Sequence, residues 1–201
     1  MSPDRPATQS AASHPSPRRP VLRALFRLFA GVLVAGWVAA AGGGAGVDEY
    51  QLKAAFLNKF VKYVSWPAER QQERAGPLVV AVFGQDPFGA RLDDVFKSRR
   101  QDERPVVVRR LRALEDLKGA HVLFVPAREA ARLNEILDAT RGAGVLLVGE
   151  STDFAAHGAA INFYLEGDKL RFEVNTEAAK RQGLKLSSDL LKLARIVEDK
   201  R

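Results

Sequence analysis

The chain has 201 residues and no cysteine, and its 31 Lys and Arg outnumber 24 Asp and Glu to give a net charge of +7. The missing thiol excludes disulfides, thiol catalysis, a thiol redox switch and cysteine-bound metal. The stretch up to Ala41 holds five Arg against one Asp, so it supplies +4 of the charge; the remaining +3 or so gathers no basic, aromatic-rich footprint for nucleic acid.

In chain order, residues 1–20 are rich in Pro, Ser, Ala and Arg and too poor in large apolar groups to fold. Arg18, Arg19, Arg23 and Arg27 then precede a charge-free run over 28–47 that ends in small residues. Ala39-Ala40-Ala41 offers an A-x-A cleavage site, and Gly43-Gly44-Ala45 a second. This is the layout of a secretory signal peptide. An uncleaved anchor is the alternative, since about 20 uncharged residues span a bilayer, but the Gly and Ala content makes the run weakly hydrophobic. The division expected is a signal peptide with a disordered extension over 1–45 and one domain over 46–201.

Asp48 caps a predicted helix over 49–64, stopped by Trp66-Pro67, with Tyr50, Ala54, Leu57, Val61 and Val64 at helical spacing. Residues 78–83 form a continuous apolar run, as in a strand buried on both faces. A helix over 89–97, strands at 106–108 and 121–125, a helix over 127–140 and a strand at 145–148 follow. This alternation argues for a parallel sheet covered on both sides. Residues 160–165 and 169–175 then read as a β-hairpin around Gly167. A helix from Thr176, broken at Gly183, leads to a last helix over 188–198. The fold expected is α/β, a three-layer αβα sandwich. Its sheet has five or six mostly parallel strands and a C-terminal antiparallel hairpin at one edge.

Catalytic constellations are missing. His121 and His157, the two histidines after the export segment, do not make the three or four ligands of a zinc site. The turn after the first strand, from Gly84 to Gly89, lacks both the Walker ending and the dinucleotide glycine spacing. There is no G-x-S-x-G elbow. Asp86, Asp93 and Asp94 read as a solvated helix face, and Arg99-Arg100 and Arg109-Arg110 as solvated loop and strand-end charges. The chain is thus expected to bind rather than catalyse, with no cofactor and no metal.

Two places carry binding expectations. Ser187-Ser188 can cap the final helix, with Lys185 just upstream and Asn175 at the end of the hairpin. Free N–H groups, hydroxyls and a cation suit a small polar or anionic ligand. The opening helix carries an apolar arc wider than one core stripe requires, edged by Phe56, Phe60 and Tyr63 and leading to Trp66. Such aromatics are enriched at interfaces, with a membrane partner or a second copy in a homodimer; burial under the sheet is the alternative.

EYQLKAAFLNKFVKYVSWP (Glu49 to Pro67), VFGQDPFG (Val82 to Gly89), AHVLFVP (Ala120 to Pro126) and FEVNTEAAKRQGLKLSSDLLKLARIV (Phe172 to Val197) resemble the successive blocks of the YfiR family. The resemblance runs over essentially the whole domain. It implies a periplasmic regulator that represses an inner-membrane diguanylate cyclase through the cyclase's sensor part, and so controls cyclic di-GMP and biofilm formation. Other members are attached to sensor kinases, which leaves a small-molecule sensor or solute-binding role as the alternative. The resemblance also implies ligand contacts around Lys185 to Ser187. Members commonly carry cysteine at the position of Ala120, so thiol-based control is in doubt here.

The mature protein is expected to begin near Gly42 or Gly46. N-terminal sequencing of protein from a periplasmic extract checks this, and recovery only in membranes with Met1 attached contradicts it.

Overall fold

The computed structural model describes residues 48–67, 76–98 and 104–200. The expected signal peptide over 1–45 with its candidate cleavage sites, and most of the polar loop after Pro67, lie outside the described residues. The Asp48 carboxylate accepts from Tyr50 N at 3.0 Å and caps α1 (Glu49–Tyr63). The chain then turns extended in β1 (Val64–Ser65) and continues through β2 (Leu78–Phe83), α2 (Ala90–Lys97) and β3 (Val106–Leu111). A 3-10 turn at Leu114–Leu117 precedes β4 (Val122–Val125). A second 3-10 segment, Ala127–Arg132, runs into α3 (Leu133–Thr140), followed by β5 (Leu146–Gly149). The hairpin is β6 (Ile161–Glu166) with β7 (Lys169–Asn175). Last come α4 (Thr176–Arg181), β8 (Lys185–Leu186), α5 (Ser188–Leu191) and β9 (Arg195–Val197).

The main sheet has the order β3-β2-β4-β5-β6-β7-β9. The first five strands are parallel, β7 runs antiparallel to β6, and β9 runs parallel to β7. One face packs under α1 and α2 around Leu57, Phe60, Leu92, Phe124 and Phe163. The other packs under α3 and the first 3-10 turn around Phe83, Leu117, Leu123 and Ile136. The αβα sandwich expected from the alternation is the one observed, and β2, β4 and β5 are the apolar runs because both of their faces are covered.

Three expectations need correction. The main sheet has seven strands among the described residues, not five or six. The extra strand comes from residues assigned to the final helix: α5 stops at Leu191, and the β-branched Ile196 and Val197 pair with Val174 and Asn175 of β7. Residues 185–186 are likewise extended, pairing antiparallel with Val64 and Ser65 in a separate two-stranded sheet. Finally, Arg109 and Arg110 lie within β3 rather than at its solvated end. Arg110 Nε donates to Asp86 at 2.9 Å and Nη2 to Asp93 at 2.5 Å, so these two carboxylates anchor a strand instead of merely facing water.

The β2 end shows why its turn has the sequence it does. Gly84 sits at φ +71°, and a Cβ there would come within 2.3 Å of the Glu129 carboxylate. Asp86 Oδ1 then accepts from Phe88 N at 2.8 Å, which closes the turn into α2. Phe88 in turn packs edge-on to Phe124 with ring centroids 4.7 Å apart.

Phe60 is completely buried between α1 and the hairpin. Phe60→Ala should destabilise the domain by about 3–5 kcal/mol, the usual cost of deleting a buried aromatic ring. Urea unfolding followed by circular dichroism checks it.

Candidate functional site

β6 outruns β5: Ile161 and Asn162 pair with Val148 and Gly149, while the rest of β6 has only β7 beside it. The gap past the end of β5 is a polar notch of about 390 Å³. Its walls are the first turns of α1, the segment 150–153 and the hairpin, closed by Arg195 of β9.

Glu150, the first residue after β5, organises one wall. Its Oε2 accepts from Lys53 Nζ at 2.6 Å, and Oε1 accepts from Ala127 N at 3.0 Å and from the Tyr50 hydroxyl at 3.3 Å. The Lys53 and Glu150 side chains are only 4% and 5% exposed. Burial alone would lower the Lys53 pKa, but hydrogen bonds to Glu150 and Glu49 outweigh it, and the net shift is upward. For the Tyr50 hydroxyl burial acts in the opposite sense, and it and then the Glu150 charge both raise the pKa.

The other wall is built on the hairpin. Asn162 is buried, and its Nδ2 donates to Ser151 O at 2.8 Å and to Glu173 Oε1 at 3.1 Å. Its Oδ1 has no partner among the described residues. Glu173 is bridged by Arg195, whose guanidinium stacks 4.2 Å from the Tyr164 ring centroid. The Glu173 hydrogen bond raises the Arg195 pKa. Four carboxylates (Glu49, Glu150, Asp153, Glu173) line the notch against two cations (Lys53, Arg195), a net charge of −2. The chemistry suits hydrogen-bond donors. Among the described residues, no cluster of three or more His, Cys, Asp and Glu side chains is placed to hold a metal.

The residues expected to bind a ligand are only partly together. Lys185, Ser187 and Ser188 follow one another on β8 and α5, with Lys185 and Ser188 exposed. Ser187 Oγ accepts from Leu190 N at 3.2 Å, so this hydroxyl is a cap. α5 has four residues, too few to assemble the aligned dipoles behind an anion site. Asn175 is fully buried and fully used. Its Oδ1 accepts from Ala178 N at 2.9 Å, and its Nδ2 donates to Ala155 O at 2.8 Å and Asp199 Oδ1 at 2.7 Å.

The aromatic arc of α1 is mostly core. Phe60 stacks on Phe163 at 5.6 Å and meets Phe172 edge-on at 5.2 Å. Phe56 is half-buried against Phe163 and Phe172, at 5.9 and 5.5 Å. Trp66 is 9% exposed and donates through Nε1 to His121 O at 3.2 Å. Tyr63 keeps partial exposure, and its carbonyl accepts from Ser187 N at 3.0 Å. His121 itself is buried, with Nδ1 accepting from Val79 N at 3.2 Å. The exposed His157 keeps Nδ1 2.9 Å from Asp153 O. Ala120 fills a buried position of the second core.

Sequence reasoning missed the notch, although one signal was present. Lys53 lies on the same helical face as Tyr50 and Leu57, where a charge has to find a buried partner. Glu173 and Asn162 carry a similar signal, as polar side chains paired across the hairpin.

The site is a small polar notch on an αβα domain, and among the described residues its buried polar side chains hold one another. The chain belongs to the YfiR/HmsC-like family, whose model matches residues 50–195. At the level of the family, this places it among periplasmic regulators of diguanylate cyclases. No curated protein matches the chain.

Lys53→Met leaves Glu150 buried without its cation and should cost about 3–5 kcal/mol, whereas replacing both partners by apolar residues should recover most of the loss. Urea midpoints of Lys53→Met and of Lys53→Met/Glu150→Leu, compared with wild type, test this.

Proposed function

We propose that this chain is an exported repressor that holds an inner-membrane diguanylate cyclase inactive by binding its periplasmic sensor part. Removal of the repressor then raises cyclic di-GMP and favours biofilm. The family match over residues 50–195 carries this reading. A binding role also suits a site in which the buried polar groups pair with one another and no activated nucleophile is assembled. The protein works as a non-enzymatic module, delivered to the periplasm by its N-terminal segment.

A second reading is favoured by the notch. At about 390 Å³ it has the volume of a small-molecule site, so the chain can serve as a sensor whose ligand acts on a cyclase, a kinase or a transporter. Lys185 and Ser188 supply a further exposed polar edge for a small polar ligand, next to Ser187, whose hydroxyl caps α5. The part-exposed Phe56 and Tyr63 remain the α1 positions available to a partner, with Phe60 and Trp66 supporting them from the core.

Deleting the gene should raise cellular cyclic di-GMP, and supplying the intact gene should restore the wild-type level. An unchanged level in the deletion strain, with the protein present in the wild-type periplasm, overturns the repressor reading. Co-purification of a tagged copy from membranes identifies whether the partner carries a cyclase, kinase or transport domain.

A further inference from the structure

The hydrogen-bonding pattern of β3 leaves one of its edges open. Leu78 N donates to Pro105 O and Gly84 N to Leu111 O, both at 2.8 Å. In a parallel ladder with this register, Val107, Arg109 and Leu111 direct their backbone groups at β2. Val106, Val108 and Arg110 therefore point their N–H and C=O groups away from the sheet. Among the described residues nothing accepts or donates there. At the opposite end of the sheet, β9 offers only three residues, so β3 is the longer free edge.

The side chains around this edge say what suits it. Val107 is 45% exposed, on the face opposite the half-buried Val106 and Val108. Residues 104–112 hold four arginines and no acid. Arg110 is neutralised by Asp86 and Asp93, but Arg109 spends its guanidinium on the carbonyls of Lys118 and Asp116, which leaves its charge uncompensated. Arg112 is exposed and makes no hydrogen bond or ion pair. A second copy would bring its own Arg109 and Arg112 to the same edge, setting cations against cations. An acidic strand meets no such penalty.

We propose that the outer edge of β3 docks an extended, acidic segment of a partner protein by β-strand addition. Backbone bonds to Val106, Val108 and Arg110 supply the register, and Arg109 and Arg112 select against basic or neutral strands. The proposal holds whether or not the partner is a cyclase.

Amide hydrogen exchange by NMR on the mature protein tests it, with a capped peptide alternating threonine or valine with glutamate as the probe. In the free protein, the amides of Val107, Arg109 and Leu111 should be protected while those of Val106, Val108 and Arg110 exchange rapidly. The peptide should slow the second set about tenfold or more, as expected for new ladder bonds that stay closed most of the time. Val108→Pro removes an outward N–H without touching the β2 ladder, a place where an edge strand tolerates proline, and should abolish the effect. Arg112→Glu, at an exposed side chain without partners, should weaken it while leaving the fold unchanged.

Slow exchange of Val106, Val108 and Arg110 before peptide is added would show a covered edge and overturn the proposal. So would protection that rises with protein concentration alone, which means self-pairing. Equal binding of a lysine-substituted peptide, or undiminished binding to Val108→Pro and Arg112→Glu, also refutes it.

Discussion

The buried Lys53–Glu150 pair is the contact on which the working end of this domain depends. In an open parallel sheet, the natural ligand crevice lies at the carboxyl ends of the strands, where the strand order reverses. Here the chain leaves β2 for β3 on one side and returns to β4 on the other, which puts the reversal between β2 and β4. Glu150, after the neighbouring β5, reaches back to the start of the 3-10 segment at Ala127 N and up to Lys53 and Tyr50 of α1. One carboxylate thus joins the end of β5, the 3-10 segment that follows β4, and α1, which precedes every strand. With Lys53 and Tyr50 held there, the open volume lies to the side, where β6 overhangs β5. The cost of desolvating two ions is offset only because each has several hydrogen-bond partners, so the wall of the notch has little freedom to rearrange.

A second constraint fixes the C-terminal segment, and it is one of backbone satisfaction rather than ligand chemistry. Asn175 ends β7 and caps α4, while its amide ties down Ala155 and Asp199. Asp199 also receives both guanidinium nitrogens of Arg181, which hold its carboxyl below the usual range, with Asn175 adding to the shift. A run such as NTEAAKRQGLKLSS looks like a recognition sequence because so many of its polar groups have fixed partners. In this domain the partners are its own chain.

These two cases explain what was legible in the sequence. β2, β4 and β5 were readable because burial on both faces forces a continuous apolar run, and the hairpin because its turn is local. β8 and β9 were not, since two- and three-residue strands exist only through partners far away in the chain, Val64 and Ser65 for one and β7 for the other. The wide apolar arc of α1 was legible, but the sequence left a partner interface and burial under the sheet both open. The structure gives it a nearer use: Phe56 and Phe60 cover the hairpin through Phe163 and Phe172, while Leu57 and Val61 join the same core. The notch was hidden for a different reason, because Lys53 lies 97 positions from Glu150 and the two share no motif. Lys53, a cation in an apolar register, hinted at it, and so did the Asn162–Glu173 pair across the hairpin.

The absence of cysteine from the chain leaves a regulator of this family without thiol chemistry as a means of control. Ala120 stands buried in the second core, where a small apolar side chain serves packing and has no redox chemistry to offer. A switch without covalent chemistry has to work through differential binding, in which an effector shifts the equilibrium only as far as its affinities for the two states differ. The rigid Glu150 wall gives such an effector little to move. The opposite wall is different in kind. Arg195 is more than half exposed, and it links Glu173 to β9, a three-residue strand at the margin of the sheet. An exposed ion pair contributes about 0–1 kcal/mol; this one has a single buried partner, so its loss also leaves Glu173 to find another donor. Glu173 is therefore the residue that the lining of the notch and the seating of β9 share.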